Sequence, residues 1–65
     1  MEYRAAFDVI ARLAQAQGIV SGQAGCSLDE ALQAMRERAQ VEHRTVNQIA
    51  DAVLDRTISF GATAD

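Results

Sequence analysis

The sequence predicts an all-α protein, a small three-helix bundle with a longer N-terminal helix. Apolar residues recur at spacings of three and four over most of the chain. There is no proline, and β-branched residues never alternate over a useful run, so helix is favoured over strand and we expect no sheet. A capping-box pattern occurs twice, over residues 27–30 and 45–48, and each copy indicates the start of a new helix.

The first helix is predicted from Glu2 to about Ala24, and it carries two neighbouring apolar stripes. One stripe consists of Val9, Leu13, Ala16 and Val20, and the adjacent one consists of Tyr3, Phe7, Ile10, Ala14 and Gln17. Both stripes could lie in one bundle core. We favour a second copy of the chain as the partner of the second stripe, because two later helices cannot easily cover a helix this long. The predicted seam of this coiled-coil-like homodimer consists of Tyr3, Phe7, Ile10 and Ala14.

Small residues at positions 14, 18 and 22 form a bare strip on the first helix. Each glycine inside a helix costs roughly 1 kcal/mol relative to alanine, so Gly18 and Gly22 require a reason. Close crossing of helices is the favoured explanation. Close approach of a ligand backbone is the alternative, and the two do not exclude each other.

The first helix junction lies at residues 25–30. Gly25 is placed to end the first helix in a left-handed conformation, and Ser27 with Glu30 forms a capping box that starts the second helix at Leu28. The inner face of the second helix is predicted to consist of Leu28, Ala31, Leu32, Met35 and Ala39.

The second helix junction lies at residues 43–48. It repeats the capping box of the first junction, because Thr45 with Gln48 forms another one and opens a third helix. The inner face of that helix is predicted to consist of Val46, Ile49, Ala50, Val53 and Leu54. Beyond Arg56 the sequence loses its periodicity and becomes small and polar. We therefore predict one domain over residues 1–56, followed by a frayed C-terminal tail over residues 57–65.

Composition limits the classes of function. The 65 residues carry a net charge of −3, which argues against sequence-independent binding to nucleic acid, because that affinity comes from neutralising phosphates with basic residues. Cys26 is the single cysteine and cannot form an internal disulfide, which suits a reducing cytoplasm. No targeting segment or membrane span is evident, so we expect a cytoplasmic protein without a membrane partner.

Catalytic chemistry is poorly supported. His43 is the only histidine and Cys26 the only cysteine, so neither a zinc site nor a Cys/His pair has enough ligands or partners. Asp29 and Glu30 are adjacent carboxylates, but acidic residues are typical of the first turn of a helix. We predict that the protein is not an enzyme and has no cofactor or metal.

Five segments stand at characteristic separations along the chain, and they join a Gln-Ala-x-Gly-Ile segment to both junctions. The segments are Ala14–Val20, Gly25–Ala31, Met35–Arg36, His43–Val46 and Ile49–Val53. Together they resemble the ANTAR family, the RNA-binding antiterminator domains of bacterial regulators, and the match covers roughly residues 10 to 55.

The resemblance implies a three-helix domain that dimerises through an N-terminal coiled coil. Such domains bind paired RNA hairpins in nascent transcripts and prevent an overlapping terminator hairpin from forming. They usually follow a receiver or GAF-type sensor domain. This sequence contains no such domain, so we expect the signal to come from a sensor or receiver domain in cis or in trans.

The resemblance also indicates which residues would face RNA. Gln17, Gln23 and Thr45 stand where the family often has basic residues, His43 stands where asparagine is common, and the chain has no lysine. We therefore expect a shallow salt dependence, with amides, arginine and bare backbone reading the RNA. The predicted RNA-binding residues, expected to border one surface, are Gln17, Gly18, Gln23, Arg36, His43, Arg44 and Thr45.

Two other functions are compatible with the sequence. The acidic balance fits a helical protein-interaction or dimerisation module with weak or no RNA binding. The third helix could instead act as the recognition helix of a helix-turn-helix DNA-binding domain. That function ranks last, because Asp51 and Asp55 on so short a helix would repel phosphates.

Overall fold

The computed structural model describes the backbone of residues 2–61 and the side chains of residues 7–61. Its three helices are α1, Glu2–Ala24, α2, Leu28–Glu42, and α3, Val46–Leu54. Each helix packs on both others, and the described residues include no strand, which confirms the predicted all-α bundle. None of the described helices has the length and apolar character needed to cross a membrane.

The first junction folds as its sequence predicts. Gly25 has a φ of +67°, a left-handed conformation that glycine adopts without steric cost, and it ends α1. The Glu30 amide donates to Ser27 Oγ at 3.1 Å, and the Ser27 amide donates to Glu30 Oε1 at 3.0 Å. These reciprocal bonds satisfy two backbone donors that the start of α2 would otherwise leave unpaired.

The second junction has the same two features, a left-handed helix end and a capping box, formed by different residues. His43 ends α2 in a left-handed conformation with a φ of 56°, which histidine tolerates better than most residues. The Gln48 amide donates to Thr45 Oγ1 at 3.0 Å, and the Thr45 amide donates to Gln48 Oε1 at 2.8 Å. Both predicted capping boxes are therefore present. The two junctions connect three helices that pack on one another in one bundle.

The core lies where the three apolar faces meet, and it is built mainly from small and medium side chains. Leu13, Val46 and Leu54 are partly buried against it, and Ala52, which the sequence pattern missed, is also buried. The buried core cluster consists of Ala16, Val20, Ala31, Met35, Ala39, Ile49, Ala50 and Val53.

Two residues assigned to inner faces are exposed. Leu28 is 56% exposed, because side chains tilt toward the N-terminus of a helix and the first residue of α2 has no preceding turn to cover. Val9 is 46% exposed and lies one turn before Leu13, where cover from the bundle diminishes. The predicted placement of Leu28 and Val9 in the core was wrong.

The outer stripe of α1, meaning Phe7, Ile10 and Ala14 among the described side chains, is exposed in the protomer. Phe7 is 69% exposed and Ile10 is 63% exposed, and Ala14 is exposed as well. A Cβ atom built on Gly18 or Gly22 would have no neighbour within 4 Å among the described residues, so no helix of the same chain crosses closely there. The Tyr3 side chain lies outside the described residues, and the dimer seam stays a prediction.

The described part of the predicted tail lies against the bundle. In this C-terminal segment, Thr57–Gly61, the Thr57 amide donates to the Ala52 carbonyl at 2.9 Å, and the side chains of Ile58 and Phe60 pack on the core. Arg56 makes the turn possible with a φ of 64°, which the sequence pattern could not indicate. Residues 62–65 lie outside the described residues, and the domain limit at residue 56 stays a prediction.

Replacing Met35 with alanine is expected to lower the free energy of unfolding by about 2–5 kcal/mol, because Met35 is fully buried and its removal leaves a cavity. A domain of this size rarely has more than about 3–5 kcal/mol of stability, so the variant should retain only a small part of it. Urea titration followed by circular dichroism, at one fixed protomer concentration, measures this loss. The control is Val41→Ala, at a residue of the same helix that is 76% exposed. A loss as small as that of the control would contradict the central position of Met35.

Candidate nucleic-acid interface

Arg44 contributes the guanidinium group of the second junction. Its Nη1 donates to Glu42 Oε1 at 3.2 Å and its Nη2 donates to the Gln48 carbonyl at 3.4 Å. The side chain is partly exposed, and a guanidinium has five N–H donors. Arg44 is therefore held by two contacts while other donors stay available to a ligand.

A second arginine shares the same carboxylate. Arg38 forms an ion pair with Glu42 one helical turn later, and its guanidinium carbon lies 5.5 Å from the centre of the Phe60 ring. The hydrogen bond from Arg38, followed by that from Arg44, lowers the pKa of the Glu42 carboxyl below its ordinary value. Glu42 is therefore ionised at neutral pH, and it links the C-terminal segment to the second junction.

His43 and Thr45 both have backbone roles in this junction. The Arg44 amide donates to the Ala39 carbonyl at 2.9 Å, which closes the end of α2 around His43. The exposed imidazole of His43 points out from this tight turn, and Thr45 Oγ1 accepts the Gln48 amide. The Thr45 hydroxyl proton can still be donated, so the cap does not exclude contact with a ligand.

Arg36 lies on a different flank of α2 from Arg38, because two residues of helix correspond to a rotation of about 200°. It is exposed and forms no ion pair among the described residues. Gln33 and Gln40 are exposed on the same flank, at spacings of three and four. Neither glutamine was predicted as a binding residue, although this spacing, continued to His43, was visible in the sequence.

Two of the predicted glutamines have structural partners. Gln17 Nε2 donates to the Leu28 carbonyl at 2.7 Å, and Gln23 Oε1 accepts the Phe60 amide at 3.0 Å. Gln17 thereby stabilises the first junction, and Gln23 attaches the C-terminal segment to α1. Gly18, one residue beyond Gln17, is exposed.

Most of the predicted binding residues fall into two groups, while Gln23 lies beside the C-terminal segment. His43, Arg44 and Thr45 lie at the end of α2, whereas the contact between Gln17 and the Leu28 carbonyl places that glutamine at the start of α2. The 15 residues of α2 correspond to a length of about 22 Å. A surface that contains both groups therefore extends along the whole of α2, with Arg36 between them.

Three of the five arginines whose side chains are described lie in ion pairs, and they share two carboxylates. Arg12 Nη2 lies 2.8 Å from Asp51 Oδ1, and Arg38 and Arg44 share Glu42. Arg36 and Arg56 have no ion pair among residues 7–61. This part of the chain therefore has the donors of a polar recognition surface and lacks a broad basic patch. Nor does it contain three His, Cys, Asp or Glu side chains grouped closely enough to hold a metal ion.

Comparison with protein-family models gives one finding. Residues 2–54 match the model of the ANTAR domain, a range that includes all of α1, α2 and α3. No curated protein and no solved structure matches the chain.

Proposed function

Since this chain belongs to the ANTAR domain family, whose members are RNA-binding regulators of transcription antitermination, we propose that it binds a pair of RNA hairpins in a nascent transcript as a homodimer. The observation that carries the proposal is the arrangement of Arg44 in the second junction. This side chain is held at an exposed turn by two contacts and keeps other N–H donors for a ligand. The protein acts as a binding module and not as an enzyme.

The chemistry of this surface fits hairpin loops better than duplex. Loop bases are unstacked, and proteins read their edges with amides and guanidinium groups. The exposed flank of α2 offers such groups in a row that reaches the second junction. The residues are Gln33, Arg36, Gln40 and His43. Because most of the arginines are compensated, the surface attracts bare phosphate backbone weakly.

The outer stripe of α1 supports the dimer. Phe7 and Ile10 are large apolar side chains exposed on the same face as Ala14, and such a face is stabilised by burial against another copy. The bare strip at Gly18 and Gly22 would let two α1 helices approach closely at that end. A dimer engages two hairpins through one linked surface, so two modest sites act as one strong site.

Binding alone is sufficient to regulate transcription. A protein that binds one RNA structure and not its competitor stabilises it by RT ln(1 + [L]/Kd), which is about 2.7 kcal/mol at a protein concentration 100 times Kd. Bound hairpins thereby prevent the overlapping terminator hairpin from forming. The target RNA is cytoplasmic, and a sensor or receiver domain in cis or in trans supplies the signal.

A mobility-shift titration tests this function. The probes are a two-hairpin RNA obtained by in vitro selection against the unmodified protein, its single-hairpin half, and duplex DNA of equal length. We expect the two-hairpin RNA to bind tightly, the half weakly and the DNA least. Selection that enriches no RNA would contradict the proposal and favour a protein-interaction module. Preference for the duplex DNA would favour a helix-turn-helix function instead.

A further inference from the structure

Glu42 occupies an unexpected position for an acidic residue. It lies in the last turn of α2, where the helix dipole disfavours a negative charge. It does not cap the helix, because backbone amides of His43 and Arg44 close that end. It also adjoins the junction proposed to bind a polyanion. The i,i+4 pair with Arg38 stabilises the helix only weakly, because the acidic residue lies C-terminal to the basic one, and this local effect does not account for the second contact of Glu42, with Arg44.

The contacts of Glu42 indicate a different role. Its two carboxylate oxygens are divided between the guanidinium groups of Arg38 and Arg44. Arg38 is also held by the Phe60 ring, and Arg44 is also held by the Gln48 carbonyl. Both cations are thus fixed in direction and partly neutralised, while Arg44 keeps N–H groups that can donate to a base.

Partial neutralisation of the two arginines and the fixing of their direction act differently on the phosphates and on the bases of an RNA. Attraction to phosphate depends on net positive charge and falls steeply with salt, whereas recognition of a base edge depends on the direction of individual donors. A carboxylate between two arginines weakens the attraction to phosphate and preserves the recognition of a base edge.

Building on the proposed function, we propose that Glu42 is a specificity-determining residue that discriminates against RNA offering only a phosphate backbone. By engaging Arg38 and Arg44, it lowers the positive charge that the second junction offers to double-stranded RNA. RNA that presents unstacked bases to the remaining donors is retained.

The test replaces Glu42 with glutamine, which keeps the size and the hydrogen-bonding oxygen but removes the charge. The control is Glu37→Gln, because Glu37 is exposed on the same helix and has no arginine partner among the described residues. The probes are the selected two-hairpin RNA and a blunt RNA duplex without loops, each titrated at about 50 mM and about 200 mM salt. Circular dichroism melting verifies that both variants are folded.

We expect Glu42→Gln to bind the duplex about five- to tenfold more tightly at the lower salt, and the selected RNA less than about threefold more tightly. The slope of log affinity against log salt should steepen by about one to two, as expected for one or two new phosphate contacts. Glu37→Gln should leave the slope and the ratio of the two affinities unchanged.

An unchanged slope, or equal gains for both RNAs, would overturn the role of Glu42 while leaving hairpin binding intact. Equal gains by Glu42→Gln and Glu37→Gln would overturn it too, because total charge alone would then explain the effect. If neither the unmodified protein nor either variant binds any RNA, the proposed function fails and the role of Glu42 fails with it.

Discussion

Replacing both Phe7 and Ile10 with alanine is expected to convert the proposed dimer to monomer and to lower the affinity for a two-hairpin RNA by at least about 100-fold. Both side chains are mostly exposed in the protomer, so their removal leaves the core intact. In a dimer the change removes four large apolar groups from one seam, each stabilising by about 1.5–3 kcal/mol when fully buried. The affinity for a single hairpin should stay nearly constant, because the second junction is untouched.

The matched control is the double variant Leu28→Ala/Val41→Ala. It also shortens two exposed apolar side chains, but both lie on α2 and away from the outer stripe of α1. Sedimentation at about tens of micromolar protein measures the association, and mobility shifts with both RNAs measure the affinity. An unmodified protein that sediments only as monomer, or a Phe7/Ile10 variant that remains dimeric, would contradict the predicted dimer seam on α1.

The second large effect is expected at Arg44, whose replacement by alanine should weaken binding of each hairpin about 10- to 100-fold. That range corresponds to about 1–3 kcal/mol, the usual cost of removing an arginine that reads a base. The Arg44 side chain lies on the surface, and its contacts are to Glu42 and to the Gln48 carbonyl, so the fold should be retained. Titration with the single-hairpin RNA measures the effect without avidity.

Two further variants separate charge from geometry at Arg44. Arg12→Ala removes the same charge from a guanidinium engaged by Asp51, and it should have a much smaller effect. Arg44→Lys keeps the charge and loses the planar fork, so it should restore only part of the affinity. Equal losses for Arg12→Ala and Arg44→Ala, or full affinity for Arg44→Ala, would remove Arg44 from the binding site.

The two junctions were predictable because their physics is local. A capping box requires only a serine or threonine and a residue three positions later, and both cases are present with the expected bonds. Gly25 was equally predictable, since a left-handed helix end favours glycine. The apolar spacing also identified most of the core, including Met35 and Ile49.

The errors arise where an outcome depends on contacts distant in sequence. Exposure of Val9 depends on where the neighbouring helices end, which periodicity does not indicate, whereas exposure of Leu28 is an exception that follows from its place as the first residue of α2. The packing of Phe60 depends on Gln23, 37 residues earlier, and on the turn at Arg56. A nonperiodic segment carries no signal for either contact.

The candidate site was predictable in its residue types more than in their arrangement. Gln17 and Gln23 were predicted to face RNA, and each forms a structural hydrogen bond that sequence spacing could not show. The pairing of Arg38 with Glu42 could have been found, because residues four apart on a helix are neighbours. The additional sharing of Glu42 with Arg44 requires the turn at His43, so only the structure shows that one carboxylate engages both arginines.

An acidic chain without lysine can bind RNA if specificity comes from placed donors and affinity comes from pairing two sites. We propose that Arg44 supplies the donors and that the outer stripe of α1 supplies the pairing. This combination implies weak binding of each single hairpin, strong binding of two linked hairpins, and modest salt dependence for both.

The stoichiometry of the complex tests this account most directly. Labelled protein and the selected two-hairpin RNA are mixed at concentrations well above Kd, and the mass of the complex is measured by sedimentation. We predict two protomers on each RNA, with the single-hairpin half bound at least about 100-fold more weakly. One protomer on each RNA, or equal affinity for the two-hairpin RNA and its half, would contradict the account.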